Sequence, residues 1–439
     1  MSRELHLNLF IQGRGHHEAA WRHPRAAQYP LTDIAYFQDI AQRAEKACFD
    51  SIFLADQLTV PDDVAKAGRI WLEPVMILPA LAVSTQRIGL IATASSTHFE
   101  PFNLARHFAT IDHMSNGRAA WNIVTSYATA ASANFNDKGQ ISHQERYEIA
   151  DEFVTVCKAL WDSWADGAVI DNRETGQYAH ADRIRRIDHH GRYFNVAGPL
   201  NVPRSPQGRP VLVQAGSSDT GRGFAARHAE AVFTAHMEKV TAKAFYADLK
   251  QRAVAAGRKE DQVLILPGLS PMIGSTEAEA RRLYLELGAL ADVDVGLKRL
   301  TARFMGHDFS HLSLDQPLQV EDFPDPATIE GGRSRTEVII GVVRREHPTM
   351  RQLLARLASA RGHFTMAGTP EQVADVIQDW YEDGAADGFN IMPPVLPWMQ
   401  DVFAAEVIPI LQKRGLFRTA YKGTTLREHY GLERPDGGW

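Results

Sequence analysis

The apolar run Val211-Leu212-Val213 empties into Gln214-Ala215-Gly216-Ser217-Ser218, and a helical pattern starts near Gly221. A strand that ends where a helix begins leaves free backbone N–H groups beside the positive end of a helix dipole, a setting suited to an anion such as phosphate. The same residues also serve an ordinary tight turn, with glycine at the bend and Ser or Asp as the cap. A second stretch, Ser142-His143-Gln144-Glu145-Arg146-Tyr147, reads as a helix start with Ser142 as N-cap and Glu145 as its capping-box partner. His143 then falls on the first turn and Tyr147, four residues on, shares its face. Both can donate to a phosphate. Taken alone, the pair equally describes a surface histidine and a half-buried tyrosine.

Other motifs carry less. Gly221-Arg222-Gly223 with Ala226 imitates a dinucleotide fingerprint, but it follows the strand by several residues instead of directly. No phosphate-binding loop with its Lys and Ser/Thr is present, and no GxSxG nucleophile elbow. The His pairs at 16–17 and 189–190 lack metal-ligand spacing with nearby carboxylates. Cys48 and Cys157, the two cysteines, sit in helical patterns and read as buried thiols.

The elements that must position these residues alternate along the chain. Strand patterns occur at 5–11, 51–58, 88–97, 118–126, around 211–214 and 231–235, near 263–274, and after the last helix. Helical patterns separate most of them. The strands are too apolar to face water on one side, which predicts a parallel sheet. Eight repeats fit a closed (β/α)8 TIM barrel. Segments near 127–142, 166–208 and 291–350 break the pattern and read as insertions into one barrel domain spanning 1–439; 166–208 is rich in Pro and Gly and suits a hairpin. Capping boxes are expected at Thr276 with Glu279 and at Thr369 with Gln372. In such a barrel the site lies at the C-terminal strand ends. The polar residues there are His16, His17 and His23 after the first strand, Asp56, Thr93 to His98, Asn122 with Thr125, and Gly216-Ser217-Ser218.

Composition limits the function. The chain has 439 residues, 44% hydrophobic and 23% charged, with net charge −6 and no long basic run, which argues against a nucleic-acid or acidic-membrane partner. No stretch is long and apolar enough to span a bilayer, and the start lacks a secretory apolar core, so a cytoplasmic location is expected.

The stretches "FLADQL", "ATASSTHFEPFNLARHFATIDHMSNGRAAWNIVTS", "HQERYEIADEFVTVCKALWDSW", "HHGRYFNVAGPLNVPRSPQGRPVLVQAGSS" and "GTPEQVADVIQDW" resemble the bacterial-luciferase-like flavin monooxygenases. Within them, the nitrilotriacetate and dibenzothiophene-sulfone monooxygenase branch is the more similar, and the resemblance covers nearly the whole chain. It implies a luciferase-like barrel that uses reduced FMN and oxygen, passing through a flavin 4a-hydroperoxide. A separate NAD(P)H:flavin reductase would supply the reduced flavin. It also implies that Asp56 and Thr93 hold the isoalloxazine ring, that His143, Tyr147, Ser217 and Ser218 hold the phosphate and ribityl chain, and that Asn122 lines the flavin edge. Asp219, unwelcome beside an anion, is expected to cap its helix and point away. His17 and His311 are the candidates for a general acid or base, with His307 behind them. Phe10, Phe53 and a flexible 291–350 region would line an apolar mouth. Family members associate as dimers or tetramers, here through helices around 72–86 and 101–115. Arg14, Arg22 and Arg25 hint at an anionic substrate, sulfur- or nitrogen-containing compounds being within the branch's range. Two alternatives stay open: a deazaflavin-dependent oxidoreductase of the same superfamily, and a flavin carrier without turnover.

Overall fold

The computed structural model describes residues 4–61, 63–126, 129–135, 141–329, 333–360 and 362–438. Eight parallel strands form the barrel: β1 (His6–Ile11), β2 (Ser51–Leu54), β3 (Gly89–Ser95), β4 (Ala119–Val124), β5 (Val211–Gln214), β6 (Ala231–Thr234), β7 (Leu264–Ile273) and β8 (Gly388–Ile391). Each pairs with the next, and β8 pairs with β1 to close the ring. Closure explains the strand composition. One face packs inside the barrel and the other under helices, so every residue of β1, β2 and β3 is buried. The interior layer contains Phe10, Phe53, Ile91, Val213, Phe233 and Met392. Its aromatic members meet edge-on, with centroids 4.6 Å apart for Phe10 and Phe53 and 5.5 Å for Phe10 and Phe233.

Eight helices follow the strands in turn or pack beside them: α1 (Ile34–Lys46), α2 (Pro74–Ala82), α3 (Pro101–Met114), α4 (His143–Trp161), α5 (Asp219–His228), α6 (Lys239–Ala255), α7 (Glu277–Ala289) and α8 (Pro370–Glu382). Their starts are locally encoded. Proline occupies the first turn of α2, α3 and α8, where its missing N–H costs nothing. Thr369 and Gln372 form the expected reciprocal capping box. Thr276 caps α7, but the Glu279 carboxylate turns to Ser275 N–H and Oγ, so the return half of that box goes elsewhere. Cys157 is buried in α4, whereas Cys48 is half-exposed and lies beyond the end of α1.

At the N-terminal ends of the strands, Asp50 accepts from Leu7 N–H at 2.7 Å and pairs with His6 Nδ1 at 3.0 Å and with Arg418. It is 0% exposed. This network ties β1, β2 and the C-terminal segment together on the face opposite the site.

The structure differs from the sequence reading in three places. A short strand, Phe364–Gly368, pairs with residues Leu269–Ile273 of β7 in addition to the eight. The 166–208 excursion holds two small hairpins, Val169–Asn172 with Gln177–Ala179 and His189–His190 with Asn195–Val196. The 291–350 region is helical, with Val293–Arg303 and Arg333–Glu346 preceding a helix Met350–Ala360. It carries its own core of Phe304, Phe309, Leu318, Phe323, Ile340 and Leu353. Its turn formers are concentrated between those helices, which is why it reads as loop. Of the 127–142 segment, residues 127, 128 and 136–140 lie outside the described residues. Among the described residues no helix is long and apolar enough to cross a membrane.

Candidate active site

Helices α4 and α5 bring their N-termini together at the end of β5. Ser218 is the N-cap of α5, accepting from Gly221 N–H at 3.1 Å, and Ser142 caps α4 by accepting from Glu145 N–H at 3.2 Å. His143 Nε2 stands 3.5 Å from Ser218 Oγ, and its ring lies 5.1 Å from that of Tyr147. Tyr147 is buried against Phe224, with ring centroids 5.7 Å apart. Its hydroxyl reaches Thr125 and Ser218; burial raises its pKa and these hydrogen bonds oppose the rise. Burial, helped by Arg146, lowers the pKa of His143. Two dipole ends, one hydroxyl cap, a phenol and an imidazole thus converge on one place.

The glycines there are a matter of space. A Cβ on Gly216 would stand 2.6 Å from Tyr147 Oη and nearer still to Gln214 Nε2, and one on Gly221 would stand 2.9 Å from the same phenol oxygen. Glycine lets the Tyr147 hydroxyl come down onto the backbone turn. Ser217 lies half-buried in that turn. Asp219 points away as expected, its side chain 78% exposed and paired with Arg252 at 2.6 Å. It does not cap the helix, because Ser218 does.

Beside this cradle, the strand ends form a polar rim above the aromatic layer. The β3–β4 register sets Thr93 opposite Asn122, and Asn122 Nδ2 donates to Thr93 Oγ1 at 2.8 Å. The amide oxygens of Asn122 and Gln214 are buried with no hydrogen-bond partner, and each residue is 3% exposed. Unmet buried acceptors cost about 1–3 kcal/mol each. Two at one strand-end rim fit a ligand with ring N–H groups. Asp56 follows β2 at the same end of the barrel. Burial pushes its carboxyl up to about 6 despite a hydrogen bond from Gln57 N–H, and Glu73 adds to the push. A carboxyl held toward neutrality beside the strand ends makes Asp56 a candidate functional residue.

The histidines separate. His17 is 3% exposed, its backbone N–H bonded to Pro394 O at the end of β8. Its Nδ1 accepts from Ala19 N–H at 3.1 Å, so the ring proton sits on Nε2. Burial, with a contribution from Arg69, lowers its pKa to about 4. His17 is therefore a neutral hydrogen-bond donor at physiological pH, with no free lone pair to act as a base. His16 Nε2 reaches Phe10 O at 2.9 Å, and His23 stacks on Trp398 at 4.8 Å. His311 is exposed after Phe309, and His307 is taken up by Asp322 O at 3.1 Å. Both belong to the helical insert, and no hydrogen bond or ring contact among the described residues joins either to the strand ends. The arginines of the first loop are likewise engaged elsewhere: Arg14 with Ala27 O and Tyr29 O, Arg22 with Leu290 O, Arg25 over the Trp398 ring at 4.5 Å. Sequence reasoning did not single out the side chain of Gln214 or Arg69. A polar residue closing an otherwise apolar strand was the available signal for the first; the second sits in an unremarkable loop.

Comparison with known proteins identifies the family. The profile of the luciferase-like monooxygenases matches residues 14–387. The N-acetyl-S-(2-succino)cysteine monooxygenase of Bacillus subtilis (strain 168) is 44% identical over 433 residues, covering 99% of this chain and 98% of that protein. Nitrilotriacetate monooxygenase component A of Aminobacter aminovorans is 43% identical over 446 residues, covering 99% and 98%. Among solved structures, a riboflavin lyase crystallised with modified FMN and riboflavin superposes with a TM-score of 0.86 at 32% identity, covering 98% of this chain and 97% of that one. The chain belongs to the luciferase-like monooxygenase family and is a flavin-dependent monooxygenase.

Proposed function

We propose that the protein is the oxygenase component of a two-component system. It would take reduced FMN from a separate NAD(P)H:flavin reductase and insert one atom of dioxygen into a small organic acid. The observation that carries this reading is the joint cradle of Ser218, His143 and Tyr147 at two helix N-termini, next to the unmet acceptors of Asn122 and Gln214. The cradle supplies donors for a phosphate, and the acceptors supply partners for ring N–H groups. Asp56 and Thr93 would complete the ring site, and Ser217 would face the ribityl chain. Bound reduced flavin supplies the two electrons that split dioxygen, one oxygen atom entering the substrate and the other leaving as water. The chain's own part would be to hold the ring at these strand ends, next to the aromatic layer of Phe10, Phe53 and Phe233, to keep bulk water from the reaction, and to orient the substrate. His17 offers its Nε2–H as a fixed donor at the rim.

The names of the two relatives denote polycarboxylated compounds, which supports an anionic substrate. "Component A" in one of them supports a partner reductase. Exposed Met76 and Val83 at α2 and Met114 at the end of α3 support association through that side of the barrel into a dimer or tetramer. The two-component reading is tested by stopped-flow mixing of protein, FMN and NADH. No rapid flavin bleaching is expected until a flavin reductase is added; fast reduction by the chain alone would overturn it.

A further inference from the structure

The rim holds two buried donors that the protein leaves without acceptors. His17 Nε2–H is one. The other is Nη2 of Arg69, which is shut off from water and makes no hydrogen bond. The Arg69 charge acts directly on the His17 ring, and Arg69 Cγ packs against the loop that carries His17, 3.7 Å from where a Cβ on Gly13 would stand. That loop is anchored at the mouth, with His16 bonded to Phe10 O and His17 bonded to Pro394 O. Two carboxylates, Glu18 and Asp63, stand near Arg69; Arg299 pairs with Glu18 and with Oδ2 of Asp63, and Asp63 Oδ1 is buried without a hydrogen bond, none of them bonding to Arg69 Nη2. The cation is therefore left with an electrostatic environment but no partner of its own. A buried charged donor without an acceptor is costly, and an acceptor supplied by a ligand would remove that cost.

We propose that Arg69 and His17 form a subsite for a carboxylate of the substrate, one oxygen taking Arg69 Nη2–H and the other His17 Nε2–H. A guanidinium with a neighbouring neutral N–H matches the two oxygens of a carboxylate better than a single ammonium would. Because His17 Nδ1 is held by Ala19 N–H, the ring cannot flip its proton away from the site. The subsite would hold the acid group at the rim, leaving the rest of the substrate over the aromatic layer. This rests on the reading of the strand ends as the flavin-dependent oxygenation site and names the residues that would hold the acid group.

The test uses the full chain saturated with FMN and two probes named by the chemistry of the relatives: nitrilotriacetate and N-acetyl-S-(2-succino)cysteine, each against its methyl ester. Calorimetric titration should show at least one free acid binding roughly tenfold or more tighter than its ester, since a charged bidentate contact is at stake. Arg69→Met should erase that preference, and His17→Phe should reduce it. Arg69→Met should leave FMN affinity unchanged and the apo-protein's melting temperature unchanged or higher, because an unpaired buried charge is being removed. If neither acid is preferred over its ester, or if Arg69→Met keeps the preference, the subsite is refuted while the flavin reading stands. If Arg69→Met weakens FMN itself, the guanidinium faces the flavin and the proposal fails. If the parent protein binds no FMN, the underlying flavin reading fails instead. A lowered melting temperature would assign Arg69 to the Glu18–Asp63–Arg299 cluster as a structural member.

Discussion

Replacing Ser218 by Asp isolates the charge at the proposed phosphate cradle. Asp and Ser are equally good N-caps, so the bond from Gly221 N–H, 3.1 Å in the parent, is kept. A carboxylate at a helix N-terminus is also favourable to the helix by about 0.3–1 kcal/mol. The fold should survive, with thermal stability equal or slightly raised. The cost falls on an anion held within hydrogen-bond reach of position 218. Two unit charges about 5 Å apart at an effective dielectric near 20 repel by about 3 kcal/mol. The half-buried setting of Ser218 and salt screening lower this, and the phosphate's second charge raises it. A net loss of about 2–4 kcal/mol, roughly 30- to 1,000-fold in affinity, follows. Tyr147→Phe removes one hydrogen bond to a charged group, about 1.5–3 kcal/mol, and should be the milder change. The assay is anaerobic titration with reduced FMN and, in parallel, reduced riboflavin, which has no phosphate. Ser218→Asp should weaken FMN binding strongly and riboflavin binding little. Equal losses for both flavins, or no loss for FMN, would refute the placement of the phosphate between α4 and α5.

The space argument predicts that Gly216→Ala, whose Cβ would meet Tyr147 Oη at 2.6 Å, weakens reduced FMN binding by roughly tenfold or more, a displaced hydrogen bond's worth. Gly223→Ala within α5, with its nearest neighbour at 3.8 Å, should instead stabilise the fold by about 0.5–1 kcal/mol and leave binding alone. Asp56 gives a pH signature. Its carboxyl is raised from 3.8 to about 6, so the folded state holds this proton more tightly than the unfolded chain does. The carboxyl costs nothing at pH below about 3.8, where both states are protonated; its penalty accumulates between about 3.8 and 6, as the unfolded chain loses the proton that the folded state keeps, and is constant above. Asp56→Asn should therefore raise the apo-protein's stability at pH 8 by about 1–2 kcal/mol, after discounting for partial exposure, with no gain near pH 4. A gain independent of pH, followed by thermal melts, would contradict the assignment.

Much of this architecture was legible in the sequence because barrel strands announce themselves twice. Burial on both faces makes runs such as Val211-Leu212-Val213 continuously apolar, and the chain turns polar where each strand reaches the site. The caps at Ser142, Ser218 and Thr369 mark helix starts through purely local chemistry. What depends on tertiary contact was hidden. The strand Phe364–Gly368 is only half-buried over most of its length and owes its conformation to pairing with β7. The 291–350 insert reads as loop because its turn formers are concentrated between helices that close a core of their own around Phe304 and Phe323. His17 and His311 look alike in sequence, yet one is sealed against the end of β8 and the other is exposed. Arg69 carries no local signal, since its surroundings are set by Glu18, Asp63 and Arg299, which are spread along the sequence.

The central claim is oxygen insertion driven by reduced flavin bound at these strand ends. The most direct measurement is a single turnover with chemically reduced FMN and no reductase, started by isotopically labelled dioxygen in the presence of a carboxylated probe such as N-acetyl-S-(2-succino)cysteine. Mass spectrometry of the product follows. The account predicts one labelled oxygen atom in the product of the parent protein and a large loss of product with Ser218→Asp at limiting flavin. Product formed without label, or formed only with a reduced deazaflavin, would contradict it.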